Sequence, residues 1–190
     1  GAERVDIVFE TEDSASILRT ADVSNIEVSS LVVNDGLERG TGEEADGWTE
    51  TGAFTLIERT DEESLGGTHS MKFEDLTGGY DREIVSDPID IGAGTDYEFG
   101  GSYYLSDPGQ VNTTDYRYSV RIRWFNSSGQ EIDEDSEFDD FGSFEQWTEV
   151  RFSETAPNNA VTARLVLDSK EDGGDNTDVY WDETFIELDN

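Results

Sequence analysis

The sequence predicts an all-β protein, an antiparallel β-sandwich of the jelly-roll kind, and three observations carry that expectation. Several stretches alternate apolar and polar residues at a period of two, as a half-buried strand does. Turn clusters rich in Gly, Asn, Asp and Pro separate them at short intervals. No stretch sustains a helical period over three turns. Short strands with glycine-rich connections are the pattern of two packed antiparallel sheets.

Taken in order, the first segment differs from the rest. "VDIVFE" and "IEVSSLVV" are strand-like, but "TEDSASILRTADVSN" between them has no clear period. A short N-terminal segment is therefore placed at 1–32, either as edge strands of the sandwich or as a docking piece, and the sandwich at 33–190. Within the sandwich, "DYEFGGSYYL", "RYSVRIRWF", "WTEVRF", "AVTARLVL" and "DVYWDETFIEL" read as strands. "GAGTD", "LSDPG", "NSSGQ", "APNNA" and "EDGGDNTD" read as the turns between them. The acidic run Glu131 to Asp140 reads as a solvated hairpin connection, with a calcium loop as the other reading.

Composition narrows the function. The chain has 190 residues, enough for one domain with a proper core, and a formal net charge of -34 from 46 acidic and 12 basic residues. Self-repulsion of that size destabilises a fold at low ionic strength, whereas molar salt shrinks the Debye length to about 3 Å. The composition therefore reads as that of a protein from a halophilic organism. A chain of this sign lacks the basic footprint that nucleic acid requires. The chain has no cysteine, so disulfides, thiolate metal sites and cysteine nucleophiles are excluded. It has no apolar run near 20 residues, so membrane insertion is not expected. His69 is the only histidine and no serine elbow accompanies it. Nothing singles out a carboxylate pair for hydrolysis, so the chain is not expected to be an enzyme.

The closing strand raises a specific question. Asp182 lies among apolar residues, and burying an unpaired carboxylate costs several kcal/mol. Asp182 must face solvent, meet an arginine or hold a cation.

A resemblance bears on this choice. "NDGLERG" (Asn34 to Gly40), "DGWTETG" with Trp48, "GTHSMKFED", "TDYEFGGSYYLSD", "RWFNSSGQEI", "APNNAVTARLVL" and "VYWDETFIEL" occur in this order. Over roughly residues 33–188 the chain resembles carbohydrate-binding modules of families 4, 9 and 22, whose fold is the galactose-binding-like jelly roll. The resemblance implies a structural Ca²⁺ that ties the first strand to the last. Its ligands here would be the Glu38 and Asp182 carboxylates, the Gly36 carbonyl, and backbone oxygens near His69 and Lys72.

Strand parity suggests a binding face. Tyr118, Val120, Ile122 and Trp124 form an inward set, as do Val150 with Phe152, and Val161, Ala163, Leu165 and Leu167. Five arginines fall on the opposite parity: Arg117, Arg121, Arg123, Arg151 and Arg164. A guanidinium fork grips carboxylate or sulfate, and an aromatic face stacks on a sugar ring. A concave face for an acidic or polyhydroxylated glycan is thus expected, with Trp147, Phe125 and Tyr104 as stacking residues. The competing reading pairs these arginines with Glu98, Glu149 and Asp168 across the sheet.

The expected function is a non-catalytic glycan-binding module in an extracellular, cell-surface or virion-surface assembly, with protein neighbours docked through residues 1–32. The alternative is a decoration, turret or fibre subunit of a halophilic virus or surface appendage, without sugar binding. Two sequons, at Asn112 and Asn126, lie in turns open to glycosylation if the chain is exported.

Overall fold

The computed structural model describes residues 30–51, 57–74, 82–106, 116–139, 144–171 and 177–189. The strands run in the order β1 Gly40–Thr41, β2 Glu44–Ala45, β3 Trp48–Thr51, β4 Ile57–Thr60, β5 Ser70–Phe73, β6 Arg82–Ser86 and β7 Ile89–Asp90. They continue with β8 Asp96–Leu105, β9 Tyr116–Phe125, β10 Glu131–Asp139, β11 Trp147–Thr155, β12 Thr162–Glu171 and β13 Val179–Leu188. Among the described residues there is no helix.

Beyond the small β1–β2 hairpin, two antiparallel sheets face each other. One is six-stranded, ordered β10-β9-β12-β6-β3 with β7 also on β12, and the other five-stranded, ordered β11-β8-β13-β5-β4. The expected all-β sandwich is what the chain forms. Alternation explains the core between the sheets. Tyr118, Val120, Ile122 and Trp124 are at most 1% exposed, and Ala163, Leu165 and Leu167 fully buried. From the other sheet, Tyr103 stacks on Tyr118 at 4.8 Å and Tyr97 meets Trp124 at 6.3 Å. The indole N–H groups inside are satisfied: Trp181 donates to Ser169 Oγ at 3.0 Å and Trp124 to Asp135 at 2.8 Å.

Three expectations change. Glu131 to Asp139 is not a loop but the edge strand β10, paired along β9. Its acids misled the sequence reading, yet charge on an edge strand is what keeps its unpaired backbone from docking to another chain. Val161 precedes β12 and is 40% exposed, beyond the end of the core. Residues 1–29 of the N-terminal segment lie outside the described residues. Leu31 already donates to the Ile186 carbonyl and Val32 is buried, so 31 and 32 belong to the sandwich.

Gly100 is where the five-stranded sheet tolerates no side chain. A Cβ there would collide with the Val150 carbonyl and lie 2.6 Å from Phe185 Cζ. Gly100→Ala is expected to lower stability by about 1–3 kcal/mol, read as a lower urea midpoint at unchanged slope.

Candidate functional site

The segment entering the sandwich is organised by Asn34, which tolerates its φ of 60° better than a branched residue. Its amide donates to the Arg39 and Asp46 carbonyls at 2.8 and 3.0 Å, and its Oδ1 accepts from Arg39 N–H. Arg59 donates to the Leu37 and Glu38 carbonyls from β4. These contacts fix where Glu38 points. Its Oε1 accepts the Thr68 and His69 N–H groups at 2.7 and 2.8 Å, and Thr68 Oγ1 donates to Oε2 at 3.0 Å.

The adjoining turn residues bind the other acid. Asp182 Oδ2 accepts the Leu65 and Gly66 N–H groups at 2.8 and 3.1 Å, and Oδ1 accepts Glu183 N–H at 2.7 Å. Asp182 is fully buried. Of the three fates open to it, neither solvent nor an arginine is found; backbone N–H groups surround it. Glu183 lies at φ 48° in an irregular step of β13, and a Cβ at Gly66 would run into its carboxylate. Glu38, Asp182 and Glu183 therefore crowd one glycine-paired turn. The first loop also joins the last strand directly, because Thr184 donates to the Asp35 carbonyl through both N–H and Oγ1.

Desolvation dominates Asp182 and pushes its carboxyl up to about 6, despite the N–H donors of Gly66, Leu65 and Glu183. Glu38 behaves oppositely. Desolvation pulls it up, but the His69 and Thr68 donors outweigh this and hold it at about 2.

The outer face of the five-stranded sheet is mostly covered beside this clasp. One register row runs Trp147, Tyr104, Tyr180, Lys72 and Glu58 across β11, β8, β13, β5 and β4. Trp147 and Tyr104 are half-buried, with centroids 5.6 Å apart, and Tyr104 meets Tyr180 edge-on at 5.9 Å. Glu62 accepts from both Lys72 Nζ and Tyr180 Oη at 2.9 Å, and Asp178 lies 3.3 Å from Lys72. Burial works against the Lys72 charge, but these two carboxylates leave its pKa raised. Further along, Arg151 packs over the Phe185 ring and pairs with Glu98, Glu149 and Glu187.

The outer face of the six-stranded sheet is different. Arg123 spans Glu83 and Glu134, and Arg121 pairs with the same two acids and approaches Asp168 at 3.8 Å. These side chains are 12 to 31% exposed. They lie over Val85 and Val166, which are nearly fully buried on that face. Desolvation opposes ionisation of Glu83, yet Arg123, Thr51 and Arg121 hold its pKa below the usual carboxylate range. Arg164 donates to the Ser86 carbonyl at 3.1 Å, and Phe125 ends β9 half-exposed.

One expectation is corrected here. The proposed binding residues do not share a face. Arg121, Arg123, Arg164 and Phe125 are on the six-stranded sheet, whereas Trp147, Tyr104 and Arg151 are on the five-stranded sheet, back to back with it. Parity tells which side of its own sheet a residue takes, and not which sheet it joins. The side chain of Arg117 lies outside the described residues. The pairing with Glu98, Glu149 and Asp168 accounts for Arg151 and part of Arg121. Of the calcium residues, Glu38 and Asp182 converge on the 65–69 turn with Gly36 beside the Glu183 and Glu38 side chains, but His69 presents its N–H to Glu38 and not the expected backbone oxygen. Lys72 sits in the ladder between β4 and β13. Sequence alone assigned no site role to Glu83, Glu134, Arg59 or Tyr180, and marked Asn34 only as the opening of its motif. Only Asn34, in an Asn-Asp-Gly turn, carried a local signal.

No protein-family model matches the chain, and no curated protein does. Solved structures do. TmCBM61, in complex with β-1,4-galactotriose, has a TM-score of 0.61 at 13% identity, covering 84% of this chain and 99% of that one. A family 16 carbohydrate-binding module has a TM-score of 0.58 at 20% identity, covering 83% and 99%. The enzymatically active domain of bacteriophage CBA120 tailspike protein 4 gives 0.61 at 16%, covering 84% of this chain and 21% of that one. The protein thus has the β-sandwich fold of carbohydrate-binding modules.

The clasp has a pH signature. Asp182 titrates at about 6 when folded against an ordinary 3.8, so the folded state holds the extra proton between them and stability falls as pH rises through that window. Glu38, at about 2 against 4.5, adds stability above 4.5 that is lost as pH falls toward 2. With chelator present, unfolding free energy is expected to drop between about pH 4 and about pH 7, by up to about 3 kcal/mol from Asp182. Urea titrations of Asp182→Asn should lack that drop.

Proposed function

We propose that the protein is a non-catalytic glycan-binding module whose ligand lies across the outer face of the six-stranded sheet. The observation that carries this is the Arg121–Arg123–Glu83–Glu134 network. It is a pre-assembled set of donors and acceptors on a face that no described turn covers, with Phe125 at its margin. Paired guanidinium and carboxylate groups offer the directional hydrogen bonds that sugar hydroxyls require, and each holds the other in place. On the opposite face the 61–69 turn covers Tyr180 and Lys72, while Trp147, Tyr104 and Arg151 stay partly open, so Trp147 is the control for that face. The fold of sugar-binding modules supports the reading, including one structure held with a galactotriose.

In this proposal the module belongs to a surface assembly that works in high salt, with the segment preceding Leu31 as its dock. An acidic sugar would exchange with Glu134, the most exposed carboxylate of the network. The structural-subunit alternative shares the fold and lacks the binding.

A structural Ca²⁺ at the clasp is part of the proposal. The donor set fits: Asp182 is buried with no cationic side chain beside it among the described residues, and Glu38 and Glu183 add charge at the same turn. The carboxylate oxygens are what a hard cation prefers, although His69 Nδ1 also lies 3.4 Å from Glu38 Oε2. Among the described residues, no three Asp, Glu, His or Cys side chains form a ready cluster. Carbonyls, Gly36 among them, would complete the shell. Bound there, the ion would supply the positive charge Asp182 lacks.

Two measurements test these claims. In molar salt, glycan-array or calorimetric binding should fall about tenfold or more in Arg123→Gln and Glu83→Gln, the loss expected for charge-assisted hydrogen bonds. Trp147→Ala, on the other sheet, should leave affinity unchanged; the reverse pattern would move the site to that sheet, and no binding at all favours the structural alternative. For the ion, added calcium should raise the melting temperature of the native chain and not that of Glu38→Gln.

A further inference from the structure

We infer that Asn126 is an N-glycosylation acceptor, presented by the tip of the β9–β10 hairpin. This goes beyond glycan binding and rests on export of the chain. The motif Asn126-Ser127-Ser128 has the acceptor pattern, with a hydroxyl two residues after the asparagine and no proline between. A tripeptide match alone is weak, and the geometry adds what it lacks.

The tip is a tight turn closed at both ends. Asn126 N–H donates to the Gln130 carbonyl at 3.0 Å, and Gly129 N–H donates to the Asn126 carbonyl at 2.8 Å. Gly129 takes φ 73°, the left-handed residue such a hairpin requires. The asparagine side chain is oriented within it. Oδ1 accepts the Ser128 and Gln130 N–H groups at 2.9 and 3.2 Å. With the oxygen held inward, the amide nitrogen is turned away, and no described residue bonds to it. Asn126 is half-exposed and Ser127, Ser128, Gly129 and Gln130 are all exposed, so the tip opens to solvent on the side away from the sheet.

The modification leaves the turn intact, because every hydrogen bond uses Oδ1 or the backbone. The co-reactant is an oligosaccharide activated at its anomeric carbon as a phosphate or diphosphate ester. A bond forms between Nδ2 and that carbon. The carbon–oxygen bond to phosphate breaks, the phosphate leaves with the electron pair, and one Nδ2 proton passes to a base. A sugar here would project from the end of the sheet beside Phe125, next to the acidic edge strand β10.

The test uses the full chain recovered from the exported fraction of a host that attaches N-glycans. Trypsin separates the two sequons, since Arg117 and Arg123 lie between them: Asn112 falls before Arg117 and Asn126 in the peptide from Trp124 to Arg151. Peptide mass spectrometry is expected to find sugar increments on the 124–151 peptide. Ser128→Ala keeps the N–H that Oδ1 accepts, so it preserves the turn while destroying the acceptor motif, and should lose the increments. Asn126→Gln should lose them too. An unmodified 124–151 peptide in the exported chain, or increments that persist in Ser128→Ala, would overturn the inference. Glycan binding by the unmodified chain is measured separately and does not bear on it.

Discussion

The fold hangs on a shared set of backbone N–H groups. The 65–69 turn joins β4 to β5, and its amides bind a carboxylate from the first loop and another from the last strand. Residues separated by more than a hundred positions are thereby held to one short segment. An N–H aimed at an ionised carboxylate is worth more than a neutral pair, and a buried carboxylate without donors is among the costliest groups a core can hold. The clasp consequently cannot be loosened at one acid without exposing the turn that both acids grip. It also decides which surface remains open. The turn and the entering loop lie on the five-stranded sheet, leaving Tyr180 and Lys72 almost fully buried there. The six-stranded sheet has no such cover among the described residues.

Charge is distributed under the same economy. With 46 acids and 12 bases, cations are the scarce component. The structure places Arg121, Arg123 and Lys72 in buried or partly buried sites, each contacting two carboxylates or more. Pairs at contact distance in partly buried sites lose little to salt, whereas isolated surface charges are screened. The excess acids stay exposed, where high ionic strength weakens their mutual repulsion.

Sequence alone made the strands of the sandwich legible because each had to hide one side. Tyr118 to Trp124 and Ala163 to Leu167 carry period two in sequence, and the inward set is buried as expected, although Ser119 and Val166 on the outer parity are buried as well. The same rule failed at the level of the site. Trp147 and Arg123 share an outward parity, but β11 pairs with β8 and β9 with β10 and β12, so the two residues face opposite directions. Sheet membership is set by pairing between distant strands and leaves no local trace. Glu83 was invisible for a related reason: only its register opposite Asp168 brings it to the arginines of β9. β10 was missed because its acids resemble a loop when an edge strand's need for charge is left out. The clasp was partly legible, since Asp182 stood out as a charge in an apolar run. What satisfies it was not, because backbone amides carry no side-chain signature.

For the proposed glycan face, the pairing of its arginines is an advantage and not a sign that they are spent. A free arginine brings side-chain entropy that must be lost on binding, whereas Arg123, forked between Glu83 and Glu134, has already lost it. In molar salt the Debye length is about 3 Å, so long-range attraction contributes little to any encounter. Recognition under those conditions must come from groups that act at contact, fixed beforehand in the right directions. A network of guanidinium and carboxylate groups on a rigid sheet meets that requirement for hydroxyls, which donate to one and accept from the other. In the proposed high-salt setting, the same screening that relieves the repulsion of 46 acids also favours this kind of surface over a steering patch.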